Sequence, residues 1–366
     1  MFTVIDLTPS GNGVATALNK NGFVAIAAAG FSGFLFIPQS PNSASGTTIG
    51  LPSPLNAVGL AAGARVQPLA LNNGQDPDVV GWAGFSVSGG TVQLAVAWFA
   101  SGTGGTVSGS FLPSLVVAPV PSAAQANAIN DNRLIAGWSV SSAGVRQAVV
   151  WDGSRFLTPL KPLDPLDPAL PSEALGLNSG GLVVGSSTVK DASGNTSVHA
   201  VSWDSTTGNI VNDFGTLSPL APAPLPDLNA QATAVNDNGD IVGVGDLTNG
   251  SVRMRCGFFI PAGGALRLIG PPHPQAGAWA VSGSGVAGIS TPVLKDGSVA
   301  IHGGTFTPIG GVVDIDALPE GSLPGGHGLS GSWLLTTALG VNDAGQVCGA
   351  GSTPFVSNHA LLLTPA

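Results

Sequence analysis

Histidine is the residue type in this sequence most suited to binding metals or moving protons, and five copies are spread along the chain. No two of them have the short spacing used by zinc sites, so the sequence predicts no metal and no cofactor. His199 and His359 occupy equivalent positions of a repeat and are predicted to form hydrogen bonds within their own repeat. His273 and His327 lie in loops rich in Pro and Gly, which makes them candidate ligand contacts.

Tryptophan supplies the second set of candidates, because its large ring can fill a core or stay half-exposed against a ligand. Most of the seven tryptophans recur at matched repeat positions, as Trp98, Trp151 and Trp203 do, and these are predicted to be packing residues. Trp279 and Trp333 break that register. They are the candidate platforms on which a sugar ring would stack.

Covalent catalysis finds no support in the sequence. No Ser has Gly at both the −2 and +2 positions, the pattern of the nucleophile elbow. Cys256 and Cys348 fall in predicted strands of non-adjacent repeats, so they are expected to be buried, inert and not joined by a disulfide. No catalytic residue is therefore predicted. The 20 acidic residues still leave room for a pair of carboxylates about 5–9 Å apart, as a glycosidase requires.

The elements that must position these residues are copies of one hairpin. Residues 232–243 read A-T-A-V-N-D-N-G-D-I-V-G, in which two apolar runs flank a turn of Asn, Asp and Gly. The pattern returns every 46 to 60 residues, about the length of a four-stranded propeller blade. The turns fall at Asn19, Asn72, Asn130, Asn178, Asn236, Ser282 and Asn342.

A third apolar strand and a shorter fourth strand follow most hairpins, with the fourth strand of the sixth copy predicted at residues 306–309. The last copy lacks a fourth strand, and residues 2–7 read as a strand without a blade. The prediction for residues 1–366 is one all-β domain, a seven-bladed β-propeller of four-stranded antiparallel blades closed by its N-terminal strand. Residues 55–67 leave room for another hairpin, so six or eight blades are the alternatives.

Composition excludes some partners and favours others. Charged residues make up 8%, the net charge is −9, and 11 Lys and Arg cannot form a basic stripe for nucleic acid. The apolar run at residues 22–38 is too short and too interrupted to span a membrane, and no signal peptide is visible in this chain. A weakly charged surface favours association, so other protein subunits are the expected partners.

The repeat resembles a known family. The pattern A-x-A-[IVL]-N-x-x-G-x-[IV]-x-G, matched at Asn130, Asn178, Asn236 and Asn342 and followed by His-Ala at His199 and His359, is similar to the HAF repeat of extracellular bacterial proteins. The departures are Ser282 in place of Asn, and Gln147 and Cys256 in place of His. The resemblance implies an extracellular, non-enzymatic surface protein and specifies no ligand.

The predicted function is a non-catalytic structural or binding propeller within a larger extracellular assembly, either on a cell surface or in a virion as a tail or decoration protein. A surface glycan is the candidate ligand beside protein subunits. The alternative is a glycan hydrolase or lyase that uses the central pocket. Two Pro-rich links, residues 157–171 and 217–226, are either contact surfaces or stiff connectors.

Overall fold

The fold consists of β-strands throughout the part of the chain that the computed structural model describes. These residues are 2–30, 32–54, 65–87, 90–101, 106–117, 121–153, 157–165, 167, 169–217, 229–249, 252–295, 298–315, 333–353 and 358–365. They form 28 strands in seven four-stranded antiparallel sheets. The seven innermost strands contact one another in a closed circle, which confirms the predicted seven-bladed β-propeller.

Blades 1 to 6 each take four consecutive strands, ordered from the axis outward. Blade 1 contains β2 (Gly13–Leu18), β3 (Val24–Ala28), β4 (Ser32–Pro38) and β5 (Gly46–Gly50), and blade 2 contains β6 (Arg65–Leu71), β7 (Val79–Val87), β8 (Gly90–Ser101) and β9 (Thr106–Phe111). Blade 3 contains β10 (Ala124–Ile129), β11 (Ile135–Val140), β12 (Arg146–Trp151) and β13 (Leu157–Pro159), and blade 4 contains β14 (Ser172–Leu177), β15 (Leu182–Lys190), β16 (Thr196–Asp204) and β17 (Ile210–Gly215). Blade 5 contains β18 (Ala230–Val235), β19 (Ile241–Asn249), β20 (Val252–Ile260) and β21 (Arg267–His273), and blade 6 contains β22 (Gly277–Val281), β23 (Ala287–Lys295), β24 (Ser298–Thr307) and β25 (Gly311–Asp314).

Blade 7 joins the two ends of the chain. Its inner strands are β26 (Leu334–Val341), β27 (Val347–Ser352) and β28 (His359–Pro365), and its outer strand is β1 (Phe2–Asp6). The antiparallel register runs from Phe2 opposite Pro365 to Asp6 opposite Leu361. The predicted closure by residues 2–7 is therefore confirmed, and the last sheet gains its fourth strand from the start of the chain.

The turn between the first and second strands explains why the same hairpin recurs. In blade 1 the Asn19 Oδ1 atom accepts hydrogen bonds from the backbone N–H groups of Asn21 and Phe23, each at 3.0 Å. Gly22 follows with φ of 87°, a conformation that side chains resist. In blade 3 this position holds Arg133, at φ of 61°. We call the end of the ring that carries these turns the turn face, and the opposite end the loop face.

Each innermost strand carries a bulge three residues before its turn residue. A bulge puts two residues opposite one, increases the local twist and redirects a side chain. The same irregularity in all seven blades shows that it belongs to the repeat. The bulged residues are Thr16, Leu69, Asn127, Leu175, Thr233, Trp279 and Leu339.

The core lies between neighbouring blades, and buried tryptophans tie it to the blade-to-blade connections. Trp98, Trp151 and Trp203 have no exposed surface. The indole N–H of each donates to a backbone carbonyl in the connection before its blade, at 2.8 Å, with Pro52, Pro113 and Lys161 as acceptors. Their predicted packing role is confirmed.

One strand differs from its prediction, and one possible hairpin lies mostly outside the described residues. The fourth strand of blade 6 is β25, so its prediction at residues 306–309 is wrong. The long hairpin of β23 and β24 carries the third strand as far as Thr307, and Pro308 then ends it because proline lacks an N–H for the ladder. Of the possible extra hairpin at residues 55–67, residues 55–64 lie outside the described residues, while Arg65 already begins β6.

Candidate functional site

An axial cup of about 300 Å³ lies at the turn face, and every blade contributes to it. Its floor is a ring of branched aliphatic side chains, each directly before a turn residue. Its rim is the ring of residues directly after the turn residues. The floor residues are Leu18, Leu71, Ile129, Leu177, Val235, Val281 and Val341, and the rim residues are Lys20, Asn73, Asp131, Ser179, Asp237, Gly283 and Asp343.

A belt of buried asparagines lies around this cup and links the blades. The side-chain Nδ2 of a turn Asn donates to the backbone carbonyl of the equivalent residue in the next blade at 2.9 to 3.1 Å. The described bonds join Asn19 to Asn72, Asn130 to Asn178, Asn178 to Asn236, Asn236 to Ser282, and Asn342 to Asn19. The last bond closes the circle across the two ends of the chain. We call this set the asparagine belt.

The belt is modified at two junctions. In blade 2 the Asn72 Nδ2 donates to Asp78 instead, and the buried Asp78 carboxylate binds the Arg133 guanidinium of blade 3 at 2.7 Å. Arg133 therefore restores the blade 2–blade 3 connection while adopting the left-handed backbone that glycine has elsewhere. In blade 6 the turn residue is Ser282, whose hydroxyl accepts from the N–H of Val286 at 3.3 Å and reaches the Asp343 carboxylate of blade 7 in place of an amide bond to the Asn342 carbonyl.

The rim carboxylates also link neighbouring blades by hydrogen bonds. Asp131 accepts the N–H of Asn73 at 2.6 Å, and Asp237 accepts the N–H of Ser179 at 2.8 Å. Asp343 accepts the N–H of Ser284 at 2.8 Å. Burial would raise the pKa of Asp343, but hydrogen bonds from the Ser284 N–H and from the Ser284 and Ser282 hydroxyls outweigh it and lower the pKa below the ordinary value. The three carboxylates thus act as charged acceptors between blades.

Three histidines pair with aspartates inside their own blades, as predicted for His199 and His359. The Nδ1 atom of His199 lies 3.0 Å from Asp213, and that of His359 lies 2.9 Å from Asp6. His302 stands 2.9 Å from Asp314 in the same arrangement. The sequence reasoning missed His302 as a repeat position, although a His followed by a small residue was the available signal. Each pair joins a third strand to a fourth strand.

The predicted ligand contacts do not form one cluster. His273 ends β21 opposite Arg255, and the Arg255 guanidinium lies 5.9 Å from the ring centroid of Trp279. The indole N–H of the half-buried Trp279 donates to the Ser290 hydroxyl at 2.9 Å. Trp333 instead packs on a different residue, the His359 imidazole, with ring centroids 5.4 Å apart. His327 lies outside the described residues. A ligand at any of the four remains a prediction.

A polar cluster at the loop face was not found by sequence reasoning. Glu173 near the start of β14 lies 3.7 Å from the Arg146 guanidinium, and its Oε1 accepts from Asn127 Nδ2 at 3.3 Å. Burial raises the pKa of Glu173 above its ordinary 4.5, and Arg146 and Asn127 offset this only in part. Glu173 and Arg146 belong to different blades, so only the ring brings them together.

The raised pKa of Glu173 predicts how stability should depend on pH. The folded state holds this proton more tightly than the unfolded chain, so its contribution to stability is complete below pH of about 4.5 and falls as the pH rises through the folded-state pKa. We expect Glu173→Gln to be more stable than the wild type at pH 7, and this gain to vanish near pH 4. Urea unfolding at both pH values measures the difference, and a gain that grows toward acid would contradict the assignment.

Both cysteines are free and completely buried. Burial raises the pKa of Cys256 to about 11 and that of Cys348 further. Because the thiolate is the reactive form, the native protein should show no thiol titratable with Ellman's reagent at pH 8 within minutes, and two in guanidinium chloride. Rapid labelling of the native protein would show that one strand opens.

The closed ring of seven four-stranded sheets places the chain in the class of seven-bladed β-propellers. No protein family and no curated protein matches it. Among solved structures it is similar to the Dos1 propeller, with 10% identity and a TM-score of 0.46 over 99% of this chain and 94% of that one. It is also similar to the polysaccharide lyase Uly1, with 12% identity and a TM-score of 0.46 over 98% and 90%. A third likeness is an Aleuria aurantia lectin, with 12% identity and a TM-score of 0.39 over 75% and 78%.

The described residues lack two further features. They contain no helix long and apolar enough to cross a bilayer. They also contain no group of three or more His, Cys, Asp or Glu side chains placed to hold a metal ion.

Proposed function

We propose that this protein is a non-catalytic structural or binding propeller. It works as a subunit of a larger extracellular assembly, on a cell surface or in a virion as a tail or decoration protein, with protein subunits and glycans as partners. The observation that carries the proposal is the use of the polar groups around the axial cup. The belt asparagines and the rim carboxylates Asp131, Asp237 and Asp343 all hold one blade to the next. Such a ring is a rigid scaffold that presents surfaces. The resemblance to HAF repeats, stated above, agrees with an extracellular location.

Exposed apolar side chains on blade 6 support an assembly role. Among the described residues, eight large apolar side chains are strongly exposed, and five of them lie on this blade. Leu294 and Val299 pair near the loop-face end of the β23–β24 hairpin, whereas Ile309, Val312 and Val313 lie near its turn-face end. Exposed apolar surface of this kind is available for contact with another chain. The five are Leu294, Val299, Ile309, Val312 and Val313.

Light scattering after size-exclusion chromatography tests the assembly role. We expect the wild type to self-associate with rising concentration, and the double variant Ile309→Asp/Val313→Asp to stay monomeric. Val211→Asp is the matched control, since Val211 is 52% exposed on the outer strand of blade 4. A wild type that is monomeric at every concentration would contradict self-assembly through blade 6.

One observation favours the catalytic alternative, because a carboxyl group with a raised pKa suits a general acid. Hydrolysis by two carboxylates needs a partner about 5–9 Å away. The contacts of Glu173 are the Asn127 carboxamide and the Arg146 guanidinium. A non-catalytic propeller incubated with a panel of polysaccharides should release no reducing ends and no unsaturated products. Turnover that disappears in Glu173→Gln would replace the binding proposal with a hydrolase or lyase.

A further inference from the structure

A chain of polar side chains crosses three blades at the loop face. Gln93 of blade 2 donates to Gln125 of blade 3, and Gln125 donates to Asn127 at 2.7 Å. Asn127 then donates to Glu173 of blade 4. Each carboxamide is oriented by its neighbours, so the donors and acceptors of this chain have defined positions.

The carboxylate at the end of this chain has few partners for a group with so little exposed surface. Two carboxylate oxygens offer about four acceptor positions. Glu173 receives one long hydrogen bond of 3.3 Å and a guanidinium at 3.7 Å, while its side chain is 21% exposed. A poorly solvated carboxylate gains free energy from any additional donor.

Arg146 beside it is held in place by stacking on an aromatic ring. Its guanidinium lies 4.1 Å from the ring centroid of Trp138, a stacked position that fixes the plane of the group. The side chain is 54% exposed, and its ion-pair partner is Glu173. A planar fork of donors is thus presented next to an acceptor that needs more donors.

The pair is not part of the repeated scaffold. Glu173 lies five residues before its turn Asn, and this position is neutral in the six other blades. Those blades close without a charge there, so the ring does not require one. The equivalent residues are Val14, Gln67, Gln125, Gln231, Gly277 and Thr337.

We propose that Glu173 and Arg146, together with Asn127, form a saccharide-binding site at the loop face between blades 3 and 4. Adjacent hydroxyl groups of a neutral sugar donate to Glu173 and accept from Arg146, which is the pattern that this pair presents. The two charges cancel, so a neutral glycan fits better than an acidic one. A peptide with an apolar side chain is less suited, because the aromatic ring beside the pair, Trp138, is buried and covered by Arg146. The inference rests on the proposed binding function and names its ligand class.

The test uses the full-length protein and an array of neutral and uronate-containing oligosaccharides. The neutral oligosaccharide retained most strongly is then titrated by calorimetry into the wild type and three variants. Glu173→Ala should weaken binding at least about tenfold, and Arg146→Lys, which keeps the charge but loses the planar fork, at least about fivefold. Lys190→Ala is the control because Lys190, at the end of β15, pairs with Asp167 in the connection before blade 4, 3.9 Å apart. This variant should bind like the wild type.

The outcomes separate this site from the general proposal. No retained neutral saccharide, retention of acidic ones alone, or equal affinity of all variants overturns the site, even if light scattering shows assembly. Cleavage of the bound saccharide overturns the non-catalytic function but supports the site if both variants lose affinity. Circular dichroism of each variant confirms that a loss of binding is not a loss of fold.

Discussion

Deletion of residues 2–7 is expected to leave a chain that aggregates or stays unfolded instead of forming a stable monomer. The deletion removes β1, whose Phe2 and Val4 pack with the fully buried Leu361 and Leu363 of β28. It also exposes the edge of β28, a template for pairing with other chains. Burying several large apolar side chains contributes about 1.5–3 kcal/mol each when complete. The loss is therefore comparable with the whole stability of a domain, about 5–15 kcal/mol.

Size-exclusion chromatography and urea unfolding of the truncated chain measure this effect. A monomer with the wild-type midpoint would show that ring closure does not depend on the N-terminal strand. Adding a peptide of residues 1–8 in trans should restore part of the monomer, because the edge of β28 remains complementary to it.

Substitutions in the His–Asp pairs test the importance of the closing strand with a smaller change than its deletion. Asp6→Asn weakens the bond to the buried His359 at the closing strand, and should cost about 1–3 kcal/mol. Asp213→Asn is the matched control in blade 4, where the chain itself connects the paired strands and the carboxylate is 40% exposed. We expect the control to cost less than half as much. Equal losses would mean that the closing strand is no more vulnerable than an ordinary one.

Asn178→Ala is expected to lower the free energy of unfolding by about 2–4 kcal/mol, because it removes two hydrogen bonds from a buried side chain. The Asn178 Oδ1 accepts the N–H of Leu182 at 2.9 Å, and its Nδ2 donates to the carbonyl of Asn236 at 3.0 Å. Alanine would leave both backbone groups without these partners. Denaturant unfolding measures the change, and a loss below about 0.5 kcal/mol, the level of surface substitutions, would contradict the role of the belt.

The reverse substitution tests the same belt by adding a bond. Ser282→Asn places a carboxamide where blade 6 lacks one but removes the hydroxyl that bonds Asp343, so it should stabilise the protein by only about 0.5 kcal/mol through the Asn342 carbonyl. Asn132→Ala is the control, because its donor bond to Ser179 is exposed and 3.2 Å long. A destabilised Ser282→Asn variant would show that the blade 6 turn cannot accept the longer side chain.

The architecture can be predicted from this one sequence, because a repeat with a distinctive turn recurs along it. The Asn-x-x-Gly turn specifies a hairpin through hydrogen bonds within a few residues, as at Asn19. Each blade can therefore be recognised in the sequence independently of the others. Counting the turns then predicts the ring, and the unpaired strand at residues 2–7 predicts its closure. Equivalent positions of a repeat have equivalent surroundings, which predicts a packing role for Trp98, Trp151 and Trp203.

The sequence alone does not predict the contacts between blades, because these contacts depend on the angle at which successive sheets meet around the axis. The sequence shows the turn asparagines, but only the ring places each Nδ2 against the next blade. It likewise brings Arg146 of one blade to Glu173 of another, and lets Arg133 replace a missing amide bond. Local signals determined the strands, their order and the closure of the ring, whereas the belt and the proposed saccharide site exist only once seven separate sheets have closed on one another.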